Sequence, residues 1–116
     1  MGRLTTHVLD TASGSPASGV EIKLYRINEN DDRTLLLTAT TNSDGRCDGP
    51  LLDGAAFKAG RYQLVFGAGQ YFARGKTPSI PFLDDVIVAF GVADAGTHYH
   101  VPLLISPYGY TTYRGS

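Results

Sequence analysis

The stretch HYHVPLLISPYGYTTYRGS, from His98 to Ser116, has the clearest strand pattern in the chain. Because successive side chains of a β-strand point to opposite faces, His98 and His100 are expected on the same side. The apolar side chains of the other side are predicted to face the core: Tyr99, Val101, Leu103 and Ile105. Two imidazoles are therefore expected on the outer face of a rigid sheet. The closing run from Tyr113 to Ser116 has no polar tail, and we expect it to be held against the fold rather than frayed.

Similar short patterns recur through the rest of the chain. Fourteen glycines and six prolines divide it into pieces that turn-forming residues separate. Alternating or apolar runs occur at 4–9, 20–25, 34–40, 61–66, 86–90 and 108–113. In the first of them, His7 lies on the face opposite Leu4 and Val8. Seven or eight short strands at this spacing predict an antiparallel β-sandwich or barrel, with one short helix at 68–74.

Length and composition argue against several classes of protein. A chain of 116 residues fits one domain, and with 42% hydrophobic residues it can bury a core without a disulfide or a metal. A net charge of −1 argues against nucleic acid as a partner. No apolar run approaches the roughly 20 residues of a membrane span, so no membrane partner is expected. The N-terminus lacks the apolar stretch of a signal peptide, which favours the cytoplasm.

The three histidines leave three interpretations open. Each can be an ordinary surface or half-buried residue. His98 and His100 could instead present two imidazoles to one zinc ion, with His7 as a distant third ligand, although no carboxylate or cysteine accompanies the pair. In the third interpretation, an imidazole with a pKa of about 6.5 takes a proton from water and returns it to a leaving group. Arg46 and Arg114 are then the cations that could hold an anionic or carbonyl-rich substrate; otherwise they are surface charges.

Cys47 is a weak candidate for a nucleophile. It has no histidine near it in the sequence, and the pattern favours a small structural residue of a sheet. Arg46 beside it is expected to lower the pKa of its thiol somewhat. No G-x-S-x-G turn and no phosphate-binding loop occurs either.

Four segments together carry a resemblance to a known family. They are LTTHVLD (4–10), TNSDGRCDGPLL (41–52), AGRYQLVF with the following YF (59–72), and the last nineteen residues. The chain resembles the 5-hydroxyisourate hydrolases, the transthyretin-related proteins of purine degradation, and its Y-R-G-S ending separates these hydrolases from true transthyretins. The resemblance implies a single transthyretin-like domain over residues 1–116, an all-β sandwich of two four-stranded antiparallel sheets with one short helix. It also implies a homotetramer, a dimer of dimers, with active sites in the central channel where the dimers meet.

The resemblance also implies a reaction and its residues. The catalytic residues would be His7, Arg46 and His100. The substrate-binding residues would be those of the last motif: Tyr113, Arg114, Gly115 and Ser116. The substrate would be 5-hydroxyisourate, whose N1–C6 amide bond is hydrolysed to give 2-oxo-4-hydroxy-4-carboxy-5-ureidoimidazoline without metal or cofactor.

Two features keep other interpretations open. The segment KTPSIPFLDDVIVAF (76–90) departs from the family pattern, which bears on loop packing rather than on chemistry. A transthyretin-like small-ligand carrier without catalysis would keep the same sandwich and tetramer. A non-enzymatic sandwich module is a further alternative, because a fold by itself does not determine a function.

Overall fold

The computed structural model of the chain describes residues 2–74 and 80–115. Nine strands lie within them: β1 (Arg3–Asp10), β2 (Ser15–Pro16), β3 (Glu21–Ile27), β4 (Arg33–Thr40), β5 (Leu52–Asp53), β6 (Gly60–Phe66), β7 (Val86–Val92), β8 (Tyr99–Ser106) and β9 (Gly109–Thr112). A short 3-10 turn spans Gly54–Ala56, and the helix α1 spans Ala68–Ala73. The strand runs and the short helix expected from the sequence are confirmed, with small shifts of their ends. No helix in this part of the chain is long and apolar enough to cross a membrane.

The strands form the expected two-sheet sandwich, with one difference in strand number and one in strand direction. One sheet has the order β4-β3-β6-β7 and is antiparallel throughout. The other has five strands instead of the expected four: its order is β2-β1-β8-β9, and β5 pairs with β1, so two short strands extend a three-strand centre. At that centre β1 and β8 run parallel, which corrects the antiparallel expectation. Parallel neighbours need a long connection, and here the chain passes through the other sheet between them.

The core lies between the two sheets and follows the alternation of the sequence. The side chains expected on the inner face of β8 are all buried: Tyr99, Val101, Leu103 and Ile105. Leu4, Thr6 and Val8 of β1 are buried in the same way. Thr5, His7 and His100 alternate with these residues and are half-buried on the outer face. The sequence pattern therefore predicts correctly that His7 and His100 lie on the outer face of the β1–β8 pair.

One buried carboxylate, that of Asp10, connects the helix α1 to the end of β1. Asp10 accepts hydrogen bonds from the backbone N–H groups of Ala12 (2.9 Å) and Ser13 (3.1 Å) and from the Tyr71 hydroxyl (2.8 Å). Burial raises the pKa of Asp10, but the hydrogen bonds from Tyr71, Ser13 and Ala12 outweigh it, and the pKa lies below its usual value. Arg74 lies over the Tyr71 ring, 4.6 Å from its centroid, and donates to the Ser18 carbonyl. These contacts hold a helix of six residues, which is too short to be stable alone.

Candidate active site

The candidate site lies on the outer face of the parallel β1–β8 pair. The strand register sets Thr5 beside His100, and His7 beside Pro102. On the other side of β1, His7 makes a bridge with Arg46. Directly paired residues project from the same face of a sheet. His7, Arg46 and His100, which are far apart in the sequence, are therefore brought onto one face.

A tight loop places Arg46 beside β1. The Asn42 side-chain oxygen accepts hydrogen bonds from the N–H groups of Asp44 (2.9 Å) and Arg46 (3.2 Å), which fold the chain back. Gly45 has a φ of 75°, and a Cβ there would lie 2.3 Å from the Val8 carbonyl oxygen. Only glycine fits both the conformation and the space. The chain therefore turns at Asp44-Gly45, and Arg46 emerges from the turn exposed to solvent.

His7 makes one hydrogen bond that determines its protonation pattern. Its Nε2 lies 2.9 Å from the Asp44 carbonyl oxygen. Because a carbonyl only accepts, Nε2 carries the proton and donates it. In the neutral ring, Nδ1 is then the nitrogen that can accept a proton.

His100 is held by contacts on two sides of its ring. Its Nδ1 lies 2.8 Å from the Thr5 hydroxyl oxygen. Its backbone carbonyl accepts a hydrogen bond of 2.7 Å from the Gly115 N–H, and a Cβ on Gly115 would lie 2.7 Å from His100 Cδ2. Burial lowers the pKa of His100, and the positive charge of Arg46 and the neighbouring His7 lower it further. His100 is therefore neutral at physiological pH, which is the form that a general base requires.

The structure places Arg114 away from this group. Its guanidinium lies over the Tyr99 ring, 3.9 Å from the centroid, and donates to the His98 carbonyl at 3.2 Å. Tyr99 belongs to the core face of β8, whereas His100 belongs to the outer face. Tyr113 is 58% exposed and lines, with Arg114, a cleft of about 220 Å³ at the edges of the two sheets. Gly115 contacts His100, and Ser116 lies outside the described residues.

His98 is separated from the other two histidines. The strand β8 begins at Tyr99, so the alternation that was expected to include His98 does not reach it. His98 is exposed and lines a different cavity of about 310 Å³ with Gly2, Arg3, Asp53 and Gly54. Within residues 2–74 and 80–115, no three or more His, Cys, Asp or Glu side chains are grouped so that they could hold a metal ion.

Cys47 differs from its sequence-based expectation. Its thiol is half-buried, and burial raises its pKa, with a further increase from the negative charge of Asp48. The lowering expected from Arg46 is therefore wrong. Arg46 is exposed and does not contribute to the shift, which comes from burial and from Asp48. The thiol stays protonated and is a poor nucleophile.

Two polar residues of the site were missed in the sequence. Thr5 contacts His100, and Asn42 forms the loop that places Arg46. The position of Thr5, two residues before His7 on the same face of the strand, already indicated that the two side chains share a surface. Its contact with His100 depends on the parallel pairing, which the alternation does not reveal.

Comparisons with known proteins agree with this architecture. The "5-hydroxyisourate hydrolase 2" of Rhizobium meliloti (strain 1021) is 63% identical over 99% of this chain and 97% of its own. A solved structure of Klebsiella pneumoniae 5-hydroxyisourate hydrolase superposes with a TM-score of 0.80 at 37% identity over the whole of both chains. A crystal structure of (S)-allantoin synthase superposes with a TM-score of 0.90 at 45% identity, over 99% of this chain and 44% of that longer one. The family model described as "HIUase/Transthyretin family" matches residues 4–115. The chain belongs to the HIUase/Transthyretin family.

Proposed function

We propose that this protein hydrolyses 5-hydroxyisourate to 2-oxo-4-hydroxy-4-carboxy-5-ureidoimidazoline. The observation that carries the proposal is the joint placement of His7, Arg46 and His100 on one sheet face, with His100 held neutral. This set supplies two imidazoles for proton transfer and a cation for a carbonyl-rich substrate. Relatives that are named 5-hydroxyisourate hydrolases span nearly the same length, which supports the same substrate here.

In the proposed mechanism the two histidines activate water. They bind the water, and one imidazole removes its proton as the oxygen attacks C6 of the substrate. The C6–N1 bond then breaks, and the same proton is returned to N1, so the protein ends in its starting state. General acid–base catalysis of this kind typically contributes about 10²–10⁴-fold in rate. No step passes through a metal ion.

Arg46 is proposed to orient the substrate and to stabilise the negative charge that develops on its carbonyl oxygen. Its guanidinium offers a planar set of donors for this purpose. The substrate-binding roles of Tyr113, Arg114, Gly115 and Ser116 remain predictions. For Arg114 the contact with Tyr99 supports an indirect role, because the guanidinium is already engaged there.

The proposed assembly is a homotetramer in which two dimers cover the face that carries the site. Leu9 and Leu104 share this face with the histidines and are half-buried in the single chain. A second pair of chains would remove the remaining apolar surface from water, which is the usual driving force for such assembly. It would also exclude bulk solvent from the imidazoles.

The test uses fresh 5-hydroxyisourate, generated from urate by urate oxidase, and follows its decay by ultraviolet absorbance. The compound also decays unaided, so the expected result is an acceleration proportional to protein concentration that a chelator does not abolish. His100→Asn should lose most of this acceleration. His98→Asn is the matched control, since that histidine lies in a different cavity, and it should keep the rate.

Three outcomes would contradict the proposal in different ways. A full rate in a folded His100→Asn variant would remove His100 from the mechanism. A rate that a chelator abolishes would favour the interpretation in which the histidines bind a metal ion. No acceleration by the folded protein would favour the small-ligand carrier, which binding measurements could then test.

A further inference from the structure

We propose that Thr5 is a positioning residue that holds His100 in the tautomer with Nδ1 protonated, so that Nε2 is the nitrogen that accepts a proton from water. The inference rests on the proposed hydrolase function and adds a residue to it. The Thr5 hydroxyl and His100 Nδ1 are 2.8 Å apart, which is hydrogen-bond distance. Thr5 thus acts through His100 and need not touch the substrate.

The strand pairing places the Thr5 and His100 side chains in contact. Thr5 and His100 are direct partners in the parallel register of β1 and β8, so their side chains emerge next to each other on the outer face. Threonine is branched at Cβ and has few χ1 rotamers in a strand, which keeps its hydroxyl in place. Both residues are half-buried, so water competes weakly for the bond.

The direction of the hydrogen bond follows from the proposed role of His100 as the base. A hydroxyl can donate or accept, and a neutral imidazole carries its proton on one nitrogen. If Thr5 donated to Nδ1, the proton would sit on Nε2, and this nitrogen could not take another from water. A base therefore requires that Nδ1–H donates to Thr5, as a partner on one ring nitrogen sets the tautomer of the other.

The ring is also fixed on its other edge. A Cβ on Gly115 would lie 2.7 Å from His100 Cδ2, the carbon bonded to Nε2, so the backbone there packs directly against the ring. Thr5 at Nδ1 and Gly115 at Cδ2 together restrict rotation about χ2. The charged and titratable groups that face His100 are Arg46 and His7. Thr5 is neutral, so it selects the tautomer without adding a charge.

The experiment compares Thr5→Val, Thr5→Ser and the control Thr38→Val. Valine has nearly the shape of threonine without the hydroxyl, and serine restores the hydroxyl. Thr38 is exposed on β4 in the other sheet. We expect Thr5→Val to lower kcat about 10–100-fold with little change in KM, as for loss of an orienting partner elsewhere. Thr5→Ser should recover most of the rate, and Thr38→Val should keep it.

A second readout makes the inference independent of activity. Nitrogen chemical shifts of His100 report directly which ring nitrogen carries the proton. The wild-type protein and Thr5→Ser should have Nδ1 protonated, and Thr5→Val should shift the population toward the Nε2–H form.

The inference is overturned if the wild type has Nε2 protonated, if Thr5→Val leaves the tautomer unchanged, or if folded Thr5→Val keeps the full kcat. A wild type that has the Nδ1–H tautomer but does not hydrolyse 5-hydroxyisourate would contradict the proposed function instead. The two failures are therefore distinguishable.

Discussion

At the scale of single residues, the site depends on charges and contacts around one imidazole. His100 is neutral because burial disfavours its charged form and because Arg46 and His7 lie near it. The activity of a neutral base falls as pH drops through its pKa. That pKa lies below about 6.5, the usual value for histidine. The acid limb in the pH profile of kcat/KM should therefore also lie below about pH 6.5.

Arg46→Gln tests this electrostatic effect. Removing the cation stabilises the charged form of His100, so its pKa should rise and the acid limb of kcat/KM should move to higher pH. The rate itself should also fall, because the cation that is proposed to stabilise the substrate is lost. The measurement is an NMR titration of His100 beside the pH–rate profile. Arg33→Gln, on β4 over the Tyr25 ring, should leave the His100 pKa and the pH–rate profile unchanged. An unchanged His100 pKa in Arg46→Gln would refute the coupling.

Gly115→Ala tests the contact with the ring. The added Cβ would lie 2.7 Å from His100 Cδ2, so the imidazole must move. We expect kcat to fall about tenfold or more, because small misplacements of a catalytic group are costly, while the melting temperature changes little. At Gly91 a Cβ would have no heavy atom within 4 Å, so Gly91→Ala is the control. Equal rates in the two variants would show that Gly115 does not position His100.

At the scale of secondary structure, the outer face of β1 and β8 carries the site and other contacts hold those strands in place. Asp10 ends β1 and connects it to α1 through Tyr71. The carboxylate also satisfies the N–H groups of Ala12 and Ser13 at the turn that follows. One side chain thus fixes both the end of the strand and the orientation of the helix.

Asp10→Ala should lower the free energy of unfolding by about 2 kcal/mol, because three hydrogen-bond donors lose the carboxylate that they share. Urea denaturation of Asp10→Ala, Tyr71→Phe and the double variant measures the coupling between them. The pKa of Asp10 is lowered in the fold. Its contribution to stability is therefore present above the unfolded pKa of about 3.9 and is lost as pH falls through the folded pKa. Additive effects of the two substitutions would contradict the proposed link.

At the scale of the whole molecule, the sequence predicts the architecture better than the strand directions. Alternation identifies the inner and outer faces of β1 and β8 because one face must be apolar. It cannot reveal that the two strands run parallel, since parallel and antiparallel neighbours share the same period. The turn at Asp44-Gly45 was predictable from its residues, whereas the position of Arg114 on Tyr99 depends on how the edges of the sheets come together.

The proposed tetramer gives a prediction at the same scale. Light scattering should give a mass about four times the 12.4 kDa of the chain. Leu104→Glu puts a charge on the outer face of β8, where a burial cost of several kcal/mol is expected on assembly. It should reduce the mass and the activity and leave the fold intact. Leu36→Glu, on the exposed face of β4, should do neither; a full-mass, fully active Leu104→Glu protein would rule out assembly through this face.

The parallel pairing of β1 and β8 has a consequence for biosynthesis. Thr5 and His100 are 95 residues apart in sequence yet directly adjacent in the sheet. A ribosome releases β1 long before β8, so the first strand waits with its central edge unpaired until most of the domain has emerged. Contacts between such distant residues form late and slowly, and exposed edges invite misassociation in the meantime. The face of the proposed catalytic residues is therefore expected to be among the last parts of the nascent chain to form, and chaperones that shield strand edges should matter most during that interval.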